Sequence, residues 1–306
     1  MTLAALLLLA ALVGGGWLWT PDKPREALEA TYAAAPSRFV VAAGLRWHVR
    51  DTGPAGAPDA PVLLMLHGFG SSLQTWDAWA ADLQARHRVI RVDLPGAGLT
   101  GPDPSGDYSD ERGVQLLVAM LDRLGVARAA LLGHSMGGRL AWRFAADQPE
   151  RVDRLVLVAP DGFASPGFEY GKPPEVGMAV RLMRYTLPKA VLRMGLEPAY
   201  ADPATMTEAL VTRYHDMMLA PGVRGALIAR MEQMRLQDPR PFLARIAAPT
   251  LLIWGDRDAM IPVANAQDYL QALPRASLTV VPGVGHLPQE EAPAAALPAL
   301  RAFLAP

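Results

Sequence analysis

The 306-residue chain contains no cysteine. This absence excludes disulfide bonds, a thiolate nucleophile and metal sites that are ligated by cysteine. Charge is also scarce, because charged residues make up 19% of the chain and sum to a net charge of −1. Without an excess of basic residues, the chain lacks the electrostatic footprint of a nucleic-acid-binding protein. Hydrophobic residues reach 51%, which is enough to build a large buried core and excludes general disorder.

The longest uncharged stretch lies at the N-terminus, at residues 2–19, and is dominated by leucine and alanine. As a helix it would span about 27 Å, close to the thickness of the hydrocarbon core of a bilayer. Trp17 and Trp19 lie at its end, where indole rings favour the membrane interface. We therefore predict that residues 1–20 form a membrane anchor, with the rest of the chain outside the cytoplasm on the periplasmic or extracellular side. A cleaved signal peptide, which would give a secreted protein, and a buried helix are the alternatives.

The rest of the chain alternates between strand-like and helix-like segments. After a predicted linker helix at residues 21–37, short apolar runs such as residues 62–66, 129–133 and 250–254 are separated by helical patterns. This alternation predicts an α/β fold with a mostly parallel sheet that helices cover on both faces. We assign residues 38–160 and 249–306 to this core. Residues 161–248 lack strand signals, and their proline-punctuated helical stretches predict an inserted helical cap.

The predicted cap is rich in methionine, with eight of the chain's 13 methionines. Two interpretations fit this enrichment. The methionines could fill the cores between the helices, or they could line an apolar pocket under the cap, where adaptable thioether side chains suit varied hydrophobic ligands.

The sequence Gly-His-Ser-Met-Gly-Gly at residues 133–138 follows a predicted strand and opens a predicted helix. A serine on such a sharp strand-to-helix turn has its hydroxyl lifted clear of the sheet, and the flanking glycines allow close backbone approach. The alternative interpretation is a glycine-rich turn that serves only packing. This G-x-S-x-G motif resembles that of the α/β-hydrolase fold family, in its serine-hydrolase branch with a helical cap. The resemblance implies the α/β-hydrolase fold, with Ser135 as the nucleophile.

The same resemblance extends to the turn at residues 67–70, His-Gly-Phe-Gly, which is similar to the H-G-x-G turn of the family. It implies that the backbone N–H groups of Phe69 and Met136 form the oxyanion hole. His67 itself is interpreted as a structural residue that orients the loop.

The family's chain order of serine, acid and histidine implies the two remaining catalytic residues. Residues 254–262 match the family pattern W-G-x-x-D-x-x-x-P, which implies Asp258 as the acid. Residues 283–286 match the family turn G-x-G-H, which implies His286 as the base. Asp161, which follows the sixth predicted strand, is an alternative acid because some family members place theirs there.

These residues predict a serine hydrolase that cleaves medium-chain or lipid-like carboxylic esters through an acyl-serine intermediate. Haloalkane dehalogenases and epoxide hydrolases are excluded, because they need a carboxylate where Ser135 stands. The substrate is a small molecule, and the expected membrane contact is through the N-terminal segment. No cofactor is expected, and the other histidines lack the paired spacing of a metal site.

Two other functions remain open. A hydrolase of carbon–carbon bonds in vinylogous diketones would use the same three residues and would need a cap cation for the substrate carboxylate. Arg181, Arg184 and Arg193 are the candidates for that cation, with a surface position as the alternative for each. The other class is a non-enzymatic binding protein on a hydrolase fold. The oligomeric state does not follow from the sequence.

Overall fold

In the computed structural model, residues 19–57, 59–165 and 169–305 are described. They contain an eight-stranded sheet with the strand order β1-β2-β4-β3-β5-β6-β7-β8. In chain order the strands are β1 (Ser37–Ala42), β2 (Leu45–Thr52), β3 (Val62–Leu66), β4 (Arg88–Val92), β5 (Ala129–His134), β6 (Val152–Val158), β7 (Thr250–Gly255) and β8 (Ala276–Val281). Strand β2 runs antiparallel to both of its neighbours, whereas β4, β3 and β5 to β8 pair in parallel. The predicted mostly parallel sheet is confirmed.

Helices follow most of the strands. In chain order they are α1 (Arg25–Tyr32), α2 (Asp77–Leu83), α3 (Asp110–Arg123), α4 (Met136–Asp147), α5 (Met178–Leu182), α6 (Lys189–Leu196), α7 (Glu208–Met218), α8 (Val223–Gln233), α9 (Arg240–Leu243), α10 (Asn265–Ala272), α11 (Pro288–Glu291) and α12 (Pro293–Leu304). Helices α5 to α9 all lie between β6 and β7, within the stretch predicted to be helical. We call residues 161–248 the cap.

The central strands are apolar along their whole length because helices cover both faces of the sheet. Leu64 on one face of β3 packs in a cluster with residues of α3, α4 and α10, whereas Leu63 on the other face packs with residues of α2 and α12. Both leucines are fully buried. At about 1.5–3 kcal/mol for each fully buried side chain of this size, these two clusters are the main stabilising contribution to the core.

The N-terminal part of the described chain packs on the cap. Lys23 donates its backbone N–H to Leu219 O at 2.8 Å, and its ammonium lies 2.6 Å from the Asp216 carboxylate. The carboxylate of Asp22 pairs with Arg224 at 2.6 Å. Helix α1 covers eight residues and is shorter than the linker helix predicted for residues 21–37.

The predicted membrane location requires correction. Within residues 19–57, 59–165 and 169–305, no helix is long and apolar enough to cross a bilayer, and this finding contradicts a membrane-anchored protein with its catalytic domain outside the cytoplasm. The prediction that the chain contacts a membrane through a spanning helix is likewise not supported by the described residues. Residues 1–18, which hold nearly all of the stretch that suggested an anchor, lie outside the described residues.

Candidate active site

Ser135 lies between β5 and α4 in a backbone conformation that non-glycine residues rarely adopt, with φ 51° and ψ −119°. The conformation is held from both sides. The Ser135 N–H donates to Val158 O at 3.0 Å, and the Ser135 carbonyl accepts N–H groups from Arg139 at 2.9 Å and Asp161 at 3.1 Å. Such strain persists only where the surrounding structure enforces it, and this turn presents the serine at the carboxyl edge of the sheet.

Glycines permit the close contacts around this turn. A Cβ atom on Gly133 would lie 2.3 Å from Gly137 O, and one on Gly137 would lie 2.3 Å from Leu66 O. A Cβ atom on Gly68 would lie 3.3 Å from the Cβ of Ser135. The turn at residues 67–70 therefore packs directly against the serine, and the glycine spacing of the motif follows from steric need.

Asp258 and His286 are in direct contact. His286 Nδ1 lies 2.7 Å from Asp258 Oδ2, and the two side chains are only 4% and 0% exposed. The other carboxylate oxygen, Oδ1, accepts the N–H groups of Met260 and Ile261, both at 2.9 Å. Since one oxygen is occupied by the backbone, the carboxylate is fixed with its second oxygen facing the imidazole.

His286 contacts His134, the residue before Ser135, and this contact links it to the serine turn. The two imidazole rings lie 4.6 Å apart, and His134 Nε2 contacts His286 O at 2.9 Å. Burial and the neighbouring His286 hold the pKa of His134 well below its usual value, so that this ring is neutral and donates from Nε2. Among the described residues, the hydroxyl of Ser135 makes no hydrogen bond with His286. In enzymes without bound substrate, the distance between the nucleophile and its base is often long and shortens when substrate binds.

Two backbone donors at the site are free. The N–H groups of Phe69 and Met136 have no acceptor within the described part of the chain. Met136 is the first residue of α4, where N–H groups point out of the helix and the helix dipole is positive. These donors are therefore available for an oxygen atom that becomes negatively charged beside Ser135.

His67 anchors the turn that carries Phe69. Its Nδ1 donates to Gly68 O at 2.8 Å, while its Nε2 accepts the Leu94 N–H at 2.9 Å. Burial lowers the pKa of this histidine, which favours the neutral ring that these two contacts require. The contacts fit the structural interpretation of His67.

Asp161 does not lie with the histidine. Its carboxylate faces Arg139 Nη1 at 3.7 Å, and burial raises its pKa although Arg139 opposes the shift. The carboxylate bonded to His286 is that of Asp258. Asp161 instead contributes its backbone N–H to the serine turn.

Of the three arginines proposed from the sequence for a substrate carboxylate, Arg181 and Arg184 are exposed on the cap and Arg193 is partly exposed. Arg181 pairs with Glu232, and Arg193 lies 3.9 Å from Glu208. Sequence reasoning missed Arg230 of α8, which lines a small cavity together with Met136 and Leu94. Arg230 donates to Pro95 O at 2.7 Å, and burial lowers its pKa to about 10. A single arginine within a helix carries no sequence signal for such a position.

Asp93, at the end of β4, is a fully buried carboxylate that fastens loops around the site. Its oxygens accept the N–H groups of Leu73 and Leu99, both at 2.8 Å, and contact His48 Nδ1 at 2.7 Å. His48 Nε2 in turn contacts the hydroxyl of Ser37 at 2.9 Å. In the described part of the chain, no cluster of three or more histidine or acidic side chains is arranged to hold a metal ion.

Comparison with known proteins places these features in context. A sequence model of the α/β hydrolase fold matches residues 61–293. Two similar proteins are named 2-hydroxy-6-oxononadienedioate/2-hydroxy-6-oxononatrienedioate hydrolases. The one from Paraburkholderia phymatum is 34% identical over 276 residues, covering 84% of this chain and 92% of its own. The one from Cupriavidus pinatubonensis is 30% identical over 279 residues, covering 86% and 93%.

Among solved structures, one similar protein is described as a membrane phospholipase A and a novel bacterial virulence factor. Its sequence is 25% identical to this chain, and the TM-score is 0.75. The similarity covers 99% of this chain and 96% of the other.

Proposed function

The chain belongs to the α/β-hydrolase fold family and is a hydrolase, and we propose that it cleaves carboxylic esters through an acyl-serine intermediate at Ser135. The observation that carries this proposal is the buried 2.7 Å contact between His286 and Asp258 beside a serine in a strained strand-to-helix turn. A carboxylate, an imidazole and a hydroxyl in this order are the parts needed to activate an oxygen nucleophile.

In the proposed mechanism, His286 Nε2 removes the proton of Ser135 as its Oγ attacks the acyl carbon. Asp258 accepts the Nδ1–H and keeps the ring in the tautomer whose Nε2 is free to act as a base. The N–H groups of Phe69 and Met136 hold the negatively charged oxygen, and each such donor is worth about 3–4 kcal/mol of barrier. His286 then protonates the leaving alcohol, and water activated by the same ring hydrolyses the acyl-serine.

The surroundings of the turn favour an apolar acyl group. Phe69 is 42% exposed at the site, and Met136 is partly exposed beside the serine. The sulfur of Met218 on cap helix α7 would lie 3.8 Å from a Cβ atom on Gly70. Phe69, Met136 and the cap residue Met218 therefore place apolar side chains at the serine and the turn of residues 67–70, which supports medium-chain or lipid-like esters as the substrate class.

Labelling with a fluorophosphonate probe tests the nucleophile. We expect the folded protein to be labelled, and the Ser135→Ala variant to remain unlabelled because it lacks the attacking oxygen. A chain-length series of p-nitrophenyl esters then measures the acyl preference through kcat/KM. A folded wild-type protein that resists the probe and hydrolyses no ester of the series would refute the proposal and favour a binding protein.

Hydrolysis of a carbon–carbon bond is the second candidate, because the two similar sequences are named hydrolases of 2-hydroxy-6-oxo dienedioates. The same serine, histidine and aspartate would serve, with a vinylogous diketone as the substrate. Loss of the dienol chromophore of such a compound reports this activity. A kcat/KM for the diketone far above that for every ester would replace the ester proposal with this one.

A further inference from the structure

The turn that carries His286 is bonded to the cap as well as to the core. The His286 N–H donates to Ala199 O at 2.8 Å, across to the cap segment that precedes α7. The preceding Gly285 packs so closely on this segment that a Cβ atom would lie 2.6 Å from Ala201 N and 2.7 Å from Ala199 O. The backbone of Gly285 and of the proposed base His286 is therefore in direct contact with residues 199–202 of the cap.

Glu291, at the end of α11, joins the two sides of this contact with one carboxylate. Its Oε2 accepts the Gly285 N–H at 2.8 Å and the Ala201 N–H at 3.2 Å. Its Oε1 accepts the Asp202 N–H at 3.0 Å. One charged side chain therefore satisfies a donor of the histidine turn and two donors of the cap.

The neighbouring Glu290 extends the contact into the cap. Its side chain is 5% exposed, and its carboxylate accepts hydrogen bonds from Arg213 and from the hydroxyl of Tyr200, both at 2.6 Å. It also accepts a 3.2 Å bond from Tyr214, whose hydroxyl accepts a 3.3 Å bond from Ser71. Ser71 follows the turn that carries Phe69, so the same helix end is linked to both the histidine turn and the oxyanion turn.

We propose that Glu291 is a positioning residue that aligns His286 by tying the Gly285–His286 turn to residues 199–202 of the cap. The ring of His286 is fixed by Asp258, and among the described residues its backbone N–H is bonded to Ala199 O of the cap. Loss of the Glu291 carboxylate frees the turn to shift relative to Ser135. Displacements of about 1 Å at a reacting group can cost about 10²-fold in rate. This inference rests on the proposed role of His286 as the base.

The Glu291→Gln variant tests the proposal with little change in volume. A glutamine presents an NH₂ group in place of one acceptor oxygen, so at least one of the three N–H groups loses its partner. We expect fluorophosphonate labelling to slow by about 10- to 100-fold and kcat to fall in parallel, with KM within about twofold of wild type. The low-field proton resonance of the His286–Asp258 hydrogen bond should broaden. Glu232→Gln, which removes a glutamate paired with Arg181 on the exposed cap surface, is the matched control and should match wild type.

Three outcomes separate the inference from the proposed function. An unlabelled wild type rejects the function, whereas a labelled wild type with an unchanged Glu291→Gln rate and resonance overturns the positioning role. If Glu291→Gln does not fold, amide hydrogen exchange of the wild type decides. The N–H groups of Gly285 and His286 should then exchange together with those of Ala201 and Asp202, because the same opening exposes them. Exchange of Gly285 and His286 together with β8 instead would overturn the proposal.

Discussion

Asp258 has both of its carboxylate oxygens committed, one to backbone N–H groups and the other to His286. A side chain held in this way has one orientation, and its remaining oxygen sets the tautomer of the imidazole. In the proposed mechanism the chemistry therefore depends on the oxygen that faces Nδ1 of His286. An amide in its place would present an NH₂ group either to the imidazole or to the backbone N–H groups of Met260 and Ile261.

Replacement of Asp258 by asparagine should reduce kcat by about 10⁴-fold, because the imidazole would lose the acceptor that keeps Nε2 free. Steady-state hydrolysis of the best p-nitrophenyl ester measures the change. Asp268→Asn, on the exposed surface of α10, is the matched control and should retain wild-type turnover. Near-normal turnover in Asp258→Asn, together with a loss in Asp161→Asn, would transfer the acid role to Asp161.

At this scale, the sequence predicted the residues that lie in short motifs. Ser135, Asp258 and His286 each occur in a turn whose glycine or proline spacing can be read locally, and the structure brings Asp258 and His286 into contact. Their catalytic roles stay a prediction. Glu291 was not predicted, because its partners on the cap are backbone N–H groups about 90 residues away. Every residue except proline has a backbone N–H group, so no sequence pattern could connect Glu291 with Ala201 and Asp202.

At the scale of whole elements, Asp93 links the end of β4 with strand β2 and two loops. The carboxylate is fully buried, and burial would raise its pKa. The pairing with His48 and the hydrogen bond from the Leu73 N–H outweigh burial and lower the pKa below its usual value. Asp93 is therefore ionised in the folded protein, and its charge stabilises the arrangement of the loops.

The stability of the protein should depend on pH through this carboxylate. Because its pKa is lower in the folded state than in the unfolded chain, its contribution is complete above about pH 4 and is lost as the pH falls through the folded-state value. Asp93→Asn should lower the free energy of unfolding at pH 7 by about 3–5 kcal/mol, since it breaks a buried pair. Urea unfolding at pH 7 and at pH 3 measures both effects.

The control for this prediction is Asp153→Asn, which removes an exposed ion pair with Arg128. It should change the free energy of unfolding by less than about 1 kcal/mol at either pH. The variant Asp93→Asn should lose less stability than wild type between pH 7 and pH 3, because asparagine does not titrate. An equal loss in both proteins would show that Asp93 makes no contribution to the pH dependence.

The central strands were predicted well because a single pattern, the continuous run of apolar residues, identifies them. The central strands are continuous apolar runs because both faces of the sheet are covered, and β5 and β7 are buried at every residue. The linker helix was predicted too long, since α1 begins after Pro24 and ends before Pro36. Its extent depends on packing against the cap, which local propensity does not describe.

At the scale of the whole molecule, residues 19–32 bridge the cap and the core. Lys23 contacts Leu219 and Asp216 of the cap, whereas Arg25 donates to Leu99 O of the core at 2.9 Å. The hydroxyl of Tyr32 donates to the same Asp216 carboxylate at 2.8 Å. One buried aspartate of the cap therefore receives two contacts from the N-terminal segment.

Asp216→Ala should lower the free energy of unfolding by about 1–3 kcal/mol, because Lys23 and Tyr32 lose their common acceptor. Thermal or urea unfolding measures the loss, and limited proteolysis should show faster cleavage of residues 19–32. Glu169→Ala, which removes an exposed pair with Lys172 on the cap, is the comparison variant and should leave both measurements unchanged. Equal proteolysis of the two variants would show that Asp216 does not hold the segment.

The close seating of Gly285 on Ala199 and Ala201 has a consequence for exchanging domains between relatives. A chimera that receives the cap of a relative also receives that relative's residues at positions 199–202, which contact the proposed base His286. We therefore expect that substrate preference and turnover cannot be exchanged independently. Grafts that leave residues 199–202 in place would keep this contact and change only the pocket. Grafts that replace those residues would need the histidine turn and α11 from the same donor.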